Sequence, residues 1–519
     1  MSAAGTTAPL RPELRAPRGV RPLRPAPSAG AAGSHGAARE RGRRTVVRLV
    51  IVLLLMAVFE GALRKWVAPQ LGAYIFFMRD PVLVLVYLLA TRHKLWPKRN
   101  LWLSIFVGMG ALGLLVLALQ MASGGHSEHR AVLGIYGWRA YFLYPPLALL
   151  VGALFRRDDL QRLFRLLLWL AVPVAVLVTV QFASPQGASI NVGSAEEKEL
   201  QFKGLGLNAE RTRPMGPFAS GAGQQQFVAT AFLILLAFFV SPKRLPQPAF
   251  PTLLITGAGV LTCIALSGSR GMVLQCAVAL MVSQLVVVFG RSGALKGRAF
   301  FWPTVLTVAA LAAYPVVFPE GYAAFVERWT AADAAESRTF ESLGVLGRAL
   351  WGIVDFMRLI GEVPLFGTGL GFGGNAAVTL NAKIDGLPPP YSETDFARHM
   401  VDLGPVLGLG YVFVRLALAA WLTGMAVRAT RLLGDPMPLL LWSYVAYVLV
   451  MGTLTGQGTI NFFGWLFVGL LIASCNAPLP GRRPTARPVL HAPLTARAPS
   501  HTAARAPRNP PFRNLKDST

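Results

Sequence analysis

Apolar stretches close to 20 residues long recur along most of this chain. An α-helix needs about 20 apolar residues to cross the ~30 Å hydrocarbon layer of a bilayer. The stretches are continuous and do not alternate with polar residues, which excludes the strands of a membrane β-barrel. Only 14% of the residues are charged, against roughly 25% in a soluble domain. The pattern predicts an all-α fold, a polytopic membrane protein with about 12 transmembrane helices.

The predicted spans can be tested against the charge of the loops between them. If the N-terminus is cytoplasmic, the loops on the cytoplasmic side include 91–99, 155–162, 241–246 and 427–435, and all of them are basic. This asymmetry is typical of cytoplasmic loops. It predicts both termini inside. The abundant Arg, Ala and Gly are typical of a GC-rich bacterial genome, and the expected location is the cytoplasmic (inner) membrane. The twelve spans are expected at roughly 45–64, 71–90, 101–121, 132–154, 163–183, 224–241, 251–268, 271–290, 301–318, 399–424, 437–455 and 459–476.

The net charge of +26 comes largely from the two ends of the chain. Nine arginines lie in the first 44 residues, and eight basic residues follow position 477. Both ends are rich in Ala, Pro and Arg, so they are predicted to be disordered cytoplasmic tails. Basic tails of this kind anchor a membrane protein to the anionic inner leaflet. No nucleic-acid partner is therefore expected.

Two long polar segments, 184–223 and 319–398, are predicted to lie outside the membrane. Segments of this length are uncommon unless they have a function. Residues 343–361 within the second segment carry a polar stripe on an otherwise apolar helix, which predicts a helix in the plane of the interface. The predicted domains are 1–44 (disordered tail), 45–318 (helices 1–9), 319–398 (large extracytoplasmic loop), 399–476 (helices 10–12) and 477–519 (disordered tail).

Charged side chains inside the predicted spans are the first candidates for function. Glu60 and Arg64 stand four residues apart, so they can pair on one helix face. Arg79 and Asp80 fall in the middle of the second predicted span, and Arg139 falls in the fourth. A charge at such a position costs about 2.5–3.5 kcal/mol, and such groups are usually paired inside the bundle. Either a structural ion-pair network or a substrate site would explain them.

Arginines beside tight turns are candidates for binding an anion. Arg270 follows the short turn 266–269, and Arg211 and Arg213 precede a Pro/Gly turn. A guanidinium group presents a planar fork of donors that suits phosphate. An arginine that reaches toward the membrane surface, or one at a solvated loop end, would give the same pattern.

Three motifs taken together resemble the O-antigen ligase and O-antigen polymerase (Wzy-type) superfamily of bacterial membrane proteins. They are the turn 267–271 (SGSRG), the glycine segment 364–373 (PLFGTGLGFG) and the segment 402–408 (DLGPVLG), within a resemblance that covers roughly residues 180–475. The resemblance implies transfer or polymerisation of glycan from a polyprenyl-pyrophosphate donor, without metal or cofactor. The implied partners are a lipid-linked oligosaccharide donor, a glycan or lipid acceptor, and membrane lipids.

The resemblance also implies roles for particular residues. Because pyrophosphate is a good leaving group, arginines that stabilise its growing charge can take the place of a metal ion. The family's proposed base is a His-Asn pair before the late helix, where this chain has Glu393 and Thr394. The candidate bases are Glu393, Asp395 and, six residues on, His399. The candidate pyrophosphate-binding residues are Arg211, Arg213, Arg270, Arg348 and Arg398.

The same residues are compatible with a structural role or with a different activity. Ser392 or Thr394 could simply cap a helix, with the neighbouring acids favoured by the helix dipole. A transporter or flippase of a lipid-linked sugar would also have twelve spans and intramembrane charges. A metal-dependent glycosyltransferase is less well matched, because the first predicted outward loop, 65–70, lacks the paired acids that such enzymes use.

Overall fold

The computed structural model describes residues 29–122, 129–192, 212–242, 244–289, 296–340, 344–374, 376–377, 392 and 394–476. Within these ranges all regular secondary structure is helical. The predicted tail 477–519 lies outside the described residues. The longer α-helices are α1 (Ala29–Ala62), α2 (Arg79–Arg92), α3 (Leu101–Ala122), α4 (Arg130–Trp138), α5 (Pro145–Leu154), α6 (Arg157–Ala183), α7 (Gly221–Val240), α8 (Phe250–Leu266), α9 (Arg270–Phe289), α10 (Lys296–Val317), α11 (Pro319–Phe340), α12 (Gly344–Val354), α13 (Asp395–Leu433), α14 (Met437–Val450) and α15 (Gly458–Asn476).

Eight helices in the described part of the chain are long and apolar enough to cross a membrane. Each corresponds to one of the twelve predicted spans, so the all-α prediction is confirmed and the number twelve stays a prediction. The eight segments are Gly36–Val67, Leu101–Ala122, Arg157–Ala183, Gly221–Val240, Arg270–Phe289, Phe300–Val317, Asp395–Leu433 and Gly458–Asn476.

The other four predicted spans are short or interrupted helices. Helices α8 and α14 have 17 and 14 residues, and the π-helical turn Arg139–Leu143 separates α4 from α5. The second span is broken after a single α-helical turn, Gly72–Ile75, and α2 starts at Arg79. The prediction that Arg79 and Asp80 lie in the middle of a helix is therefore wrong. They lie at a helix start, where the helix dipole favours the carboxylate of Asp80. The guanidinium of Arg79 is compensated there by Glu60.

Two further boundaries differ from the prediction. The first helix begins at Ala29, so residues 29–44 are helical and do not belong to a disordered tail. Ion pairs from Arg43 to Asp159 and from Glu40 to Arg156 hold this extension against the start of α6. The predicted interface helix 343–361 consists of α12 and a 3-10 turn, Asp355–Gly361. Helix α11 before it was not anticipated, because its apolar residues are interrupted by charges throughout.

Helix α15 lies at the centre of the bundle and is buried over almost its whole length. It packs on α5, where Gly469 approaches the carbonyl of Ala148 and Gly152 approaches Ile472. Small residues at such a crossing let helix backbones come close, which increases dispersion contacts inside a membrane. The tight pairing of α5 with α15 fixes the position of the loop 451–457 that precedes α15.

The bundle has two chemically different ends. At one end, Arg43 pairs with Asp159 at 2.6 Å and Arg244 pairs with Asp435 at 2.6 Å. Helices α1 and α6 begin at this end and α13 finishes there, and the other terminus of each helix lies at the opposite end. Glu60 and Asp395 lie at that opposite end, where Glu60 pairs with Arg79 and Asp395 pairs with Arg415. We refer to it as the loop end, because the long polar segments join it.

Candidate functional site

The start of α13 carries a buried polar network centred on Asp395. This carboxylate pairs with Arg415 further along the same helix and with Arg398 at 3.2 Å. It also accepts a 2.6 Å hydrogen bond from the hydroxyl of Thr455. His399 lies beside the same groups and is fully buried. We call Asp395, Arg398, His399, Asp402, Arg415, Tyr141 and Thr455 the acid–histidine network.

A backbone break in α13 allows residues so far apart in sequence to meet. Gly404 adopts φ 76° and ψ 172°, a conformation that is essentially restricted to glycine, and Pro405 follows it. The short first piece of α13 therefore folds back, and Gly408 lies close to the carbonyl of His399. This fold brings Asp395 to Arg415. The guanidinium of Arg415 also donates to the carbonyls of Val448 and Leu449 in α14 and of Gly452 just after it.

The glycine segment predicted from the sequence forms a turn docked on this first piece of α13. The N–H of Gly373 donates to Asp402 at 2.8 Å, and Arg398 donates to the carbonyl of Gly373 at 2.9 Å. From the other side, the amide of Gln120 donates to the carbonyls of Phe366 and Asp402. The turn is thus held by buried hydrogen bonds on both sides, and Gly371 fits against the backbone of α4.

A second group of buried charges lies at the loop ends of α1 and α2. Arg79 is fully buried, and its Nε lies 2.8 Å from a carboxylate oxygen of Glu60. Glu60 also pairs with Arg64 at 3.6 Å, as the sequence spacing predicted. Lys65 donates to the carbonyl of Gly216 at 2.8 Å. We call Glu60, Arg64, Lys65, Arg79, Asp80 and Arg139 the basic cluster, since four of its six charges are positive.

Two π-helical turns carry residues of this cluster. Leu63–Val67 contains Arg64 and Lys65, and Arg139–Leu143 contains Arg139. Arg139 pairs with Asp80, and its guanidinium lies over the ring of Phe76 at 4.7 Å. Single π turns inside α-helices are rare and occur frequently at functional sites. Here the two π turns contain three of the four cationic residues of the basic cluster.

The loop 451–457 joins the acid–histidine network to the basic cluster. Thr455 bonds to Asp395 on one side, and the carbonyl of Gly458 accepts from Arg79 at 3.1 Å on the other. Between them, Gln457 bonds to Ser220 at 3.2 Å. Gly456 lies directly against the guanidinium of Arg398. The two charge groups are therefore parts of one site, arranged around a single loop.

Arg213 and Arg270, two of the predicted anion-binding residues, lie on adjoining segments at the same end of the bundle. Arg213 donates to the carbonyl of Ser267 at 3.2 Å, in the turn that precedes Arg270. Arg270 lies 6.0 Å from the ring centre of Trp329 on α11. Burial and the nearby Arg270 lower the pKa of Arg328 on α11. Two guanidinium groups that interact in this way make the surface strongly attractive to anions.

The predicted site residues fall into four sets. Asp395, Arg398 and His399 meet in the acid–histidine network. Arg348 is on the exposed face of α12. Glu393 and Arg211 lie outside the described residues, although Ser392 and Thr394 on either side of Glu393 are described. The remaining two, Arg213 and Arg270, are those at the SGSRG turn.

The prediction that Ser392 or Thr394 caps a helix is corrected by the structure. Thr394 occupies the cap position of α13, but its side chain makes no cap hydrogen bond. Its hydroxyl donates to Asp355 at 3.2 Å, and the hydroxyl of Ser392 donates to the carbonyl of Thr394 at 3.1 Å. The loop 355–361 is thereby attached to the start of α13.

Sequence reasoning did not identify several residues of the site. Tyr141, Arg415 and Thr455 are fully engaged in the acid–histidine network. Each lies in an apolar segment with no distinguishing motif, and only Arg415 carries a charge. The one signal in the sequence was Arg415 within a predicted span, since a buried charge in a membrane helix requires a partner.

The described chain is all-helical, with eight helices long and apolar enough to span a bilayer. This is consistent with a polytopic membrane protein. No protein-family model matches the chain, and a search of curated proteins finds no relative.

Proposed function

We propose that this protein transfers or polymerises glycan from a polyprenyl-pyrophosphate-linked donor at the outer face of a bacterial cytoplasmic membrane. The observation that carries the proposal is the buried basic cluster, which adjoins a carboxylate- and histidine-containing network through loop 451–457. The basic loops at the other end favour an outward-facing loop end. The resemblance to the O-antigen ligase and polymerase superfamily supports the choice of donor.

The chemistry assigns different tasks to the two charge groups. When the glycosidic bond to the donor breaks, negative charge grows on the pyrophosphate oxygens. Fixed guanidinium and ammonium groups in a water-poor site stabilise this charge strongly. Arg79 suits this role, because its Nη2 has no hydrogen-bond partner among the described residues while the side chain is fully buried. The acceptor hydroxyl must lose its proton to a base, for which we propose Glu393.

A deletion strain tests the proposed reaction. Cells that lack the protein should accumulate the lipid-linked oligosaccharide on the outer leaflet and lose polymerised or attached glycan. The natural protein should restore the glycan, and Glu393→Gln should not, while inserting to the same level in the membrane. Extraction and sizing of lipid-linked oligosaccharides and surface polysaccharide provide the measurement. Donor that stays on the cytoplasmic leaflet would instead support a flippase, and normal glycan in the Glu393→Gln strain would remove Glu393 from the mechanism.

Donor binding by the basic cluster can be measured separately. In purified full-length protein, Arg79→Lys should weaken binding of undecaprenyl pyrophosphate by about 10- to 100-fold, the value of one hydrogen bond to a charged group. Arg244→Lys is the matched control, since Arg244 is equally buried and paired but lies at the opposite end of the bundle. Equal loss of affinity in both variants would show that the effect is structural.

A further inference from the structure

The hydrogen bonds of His399 define which of its nitrogens carries a proton. Nε2 lies 3.0 Å from Nη1 of Arg415, and Nδ1 lies 3.0 Å from the hydroxyl of Tyr141. A guanidinium group has N–H donors and no acceptor, so Nε2 must accept. A histidine that accepts at Nε2 is neutral and carries its proton at Nδ1. Nδ1–H therefore donates to Tyr141.

The direction of the remaining bonds follows from this assignment. Tyr141 receives a hydrogen bond from His399, so its own O–H is free to donate to Asp402, 3.0 Å away. The other carboxylate oxygen of Asp402 accepts from the N–H of Gly373 at 2.8 Å. In this relay of hydrogen bonds, Arg415 donates to His399, His399 donates to Tyr141, and Tyr141 donates to Asp402. Asp402 also accepts the hydrogen bond from the glycine turn.

This arrangement leaves His399 without a lone pair for an acceptor proton. Its only accepting nitrogen is occupied by Arg415, and the ring has no exposed surface. Asp395 is likewise engaged by two arginines and Thr455. Groups of this kind fix geometry and do not take protons from a substrate.

We propose that His399, Tyr141 and Arg415 are positioning residues, which lock the glycine turn to the start of α13. The contacts at each end of the relay support this role. Arg415 donates to the carbonyls of Leu449 and Gly452, so the relay is attached to α14. The positioning role in catalysis rests on the proposed glycan transfer, whereas the locking of the turn does not.

Substitution of His399 separates positioning from base catalysis. Glutamine offers one donor and one acceptor but cannot act as a base at neutral pH. We expect His399→Gln to retain glycan transfer within about five-fold, and His399→Leu, which leaves buried partners unsatisfied, to lose about 100-fold. If His399→Gln is as inactive as His399→Leu while its glycine turn remains protected, His399 is the base and the proposal is wrong.

Protection of the glycine turn from a water-soluble reagent can be measured by cysteine labelling, independently of glycan transfer. Ala376 follows the turn, and its replacement by cysteine gives a labelling site in a protein whose three natural cysteines are buried. In full-length Ala376→Cys protein, Tyr141→Phe should speed reaction with a water-soluble maleimide by about ten-fold or more, as expected for loss of a buried hydrogen bond.

Tyr411→Phe is the matched control for the labelling experiment. The Tyr411 hydroxyl bonds only to the carbonyl of Tyr141 among the described residues, at 3.1 Å, and its ring packs on His399 at 4.8 Å. The Tyr411→Phe substitution therefore removes a buried tyrosine hydroxyl beside the relay but leaves every hydrogen bond of the relay in place. Equal labelling rates for Tyr141→Phe and Tyr411→Phe would overturn the locking role. Faster labelling in Tyr141→Phe alone would support it even if glycan transfer were disproved.

Discussion

Replacement of Gly456 by alanine is expected to lower glycan transfer by about 100-fold or more, because breaking a buried ion pair costs about 3–5 kcal/mol. A Cβ atom at this position would lie 2.8 Å from Cζ of Arg398 and closer still to Nη1. Arg398 cannot simply swing away, since it donates to the carbonyls of Gly373 and Ser392 and pairs with Asp395. The methyl group must therefore separate the glycine turn from α13 or displace loop 451–457.

Gly410→Ala is the control for this experiment. Gly410 is on α13, near the same network, and a Cβ atom there would meet nothing within 4 Å. It should leave transfer activity and membrane insertion unchanged. The measurement is restoration of surface glycan in the deletion strain, normalised to the amount of inserted protein. Full restoration by Gly456→Ala would mean that the close packing of loop 451–457 on Arg398 is not needed for function.

Replacement of Gly404 by alanine is expected to lower the free energy of unfolding by about 3 kcal/mol or more, since both strain and a steric clash are introduced. The backbone at Gly404 has φ 76° and ψ 172°, which costs an alanine residue about 1–3 kcal/mol by itself. In addition, a Cβ atom would collide with the carbonyl of Leu365 and lie 2.6 Å from the N–H nitrogen of Gly367. The turn 364–374 would be pushed off α13.

Gly434→Ala isolates the strain from the clash. Gly434 also has a positive φ, 64°, but a Cβ atom there would meet nothing within 4 Å. Its substitution should cost only the left-handed penalty of about 1–2 kcal/mol. The midpoints of thermal unfolding of both variants, measured in the same detergent, give the comparison. Equal shifts would contradict the inference that the backbones of Gly367 and Gly404 pack in direct contact.

Part of the candidate site was predictable from charge and spacing alone. The pairing of Glu60 with Arg64 followed from four-residue spacing, and it is observed at 3.6 Å. The tight turn before Arg270 followed from its glycines, whereas the contact of that turn with Arg213 was not predicted. The break before Arg79 was not predicted, because the surrounding residues are apolar enough to continue a helix. Its cause is tertiary, since Arg79 has to reach Glu60 and the carbonyl of Gly458.

The sequence by itself determined that the chain is helical and apolar, because a bilayer requires long runs of apolar residues whose backbone bonds are satisfied within each helix. Only the tertiary structure decided which charges meet. The sequence placed Asp395 in the loop 319–398 and Arg415 in the following span, and the backbone break at Gly404 brings the two together. Such pairings depend on helix packing and on backbone approach at glycines, and neither leaves a periodic signal in the order of the residues.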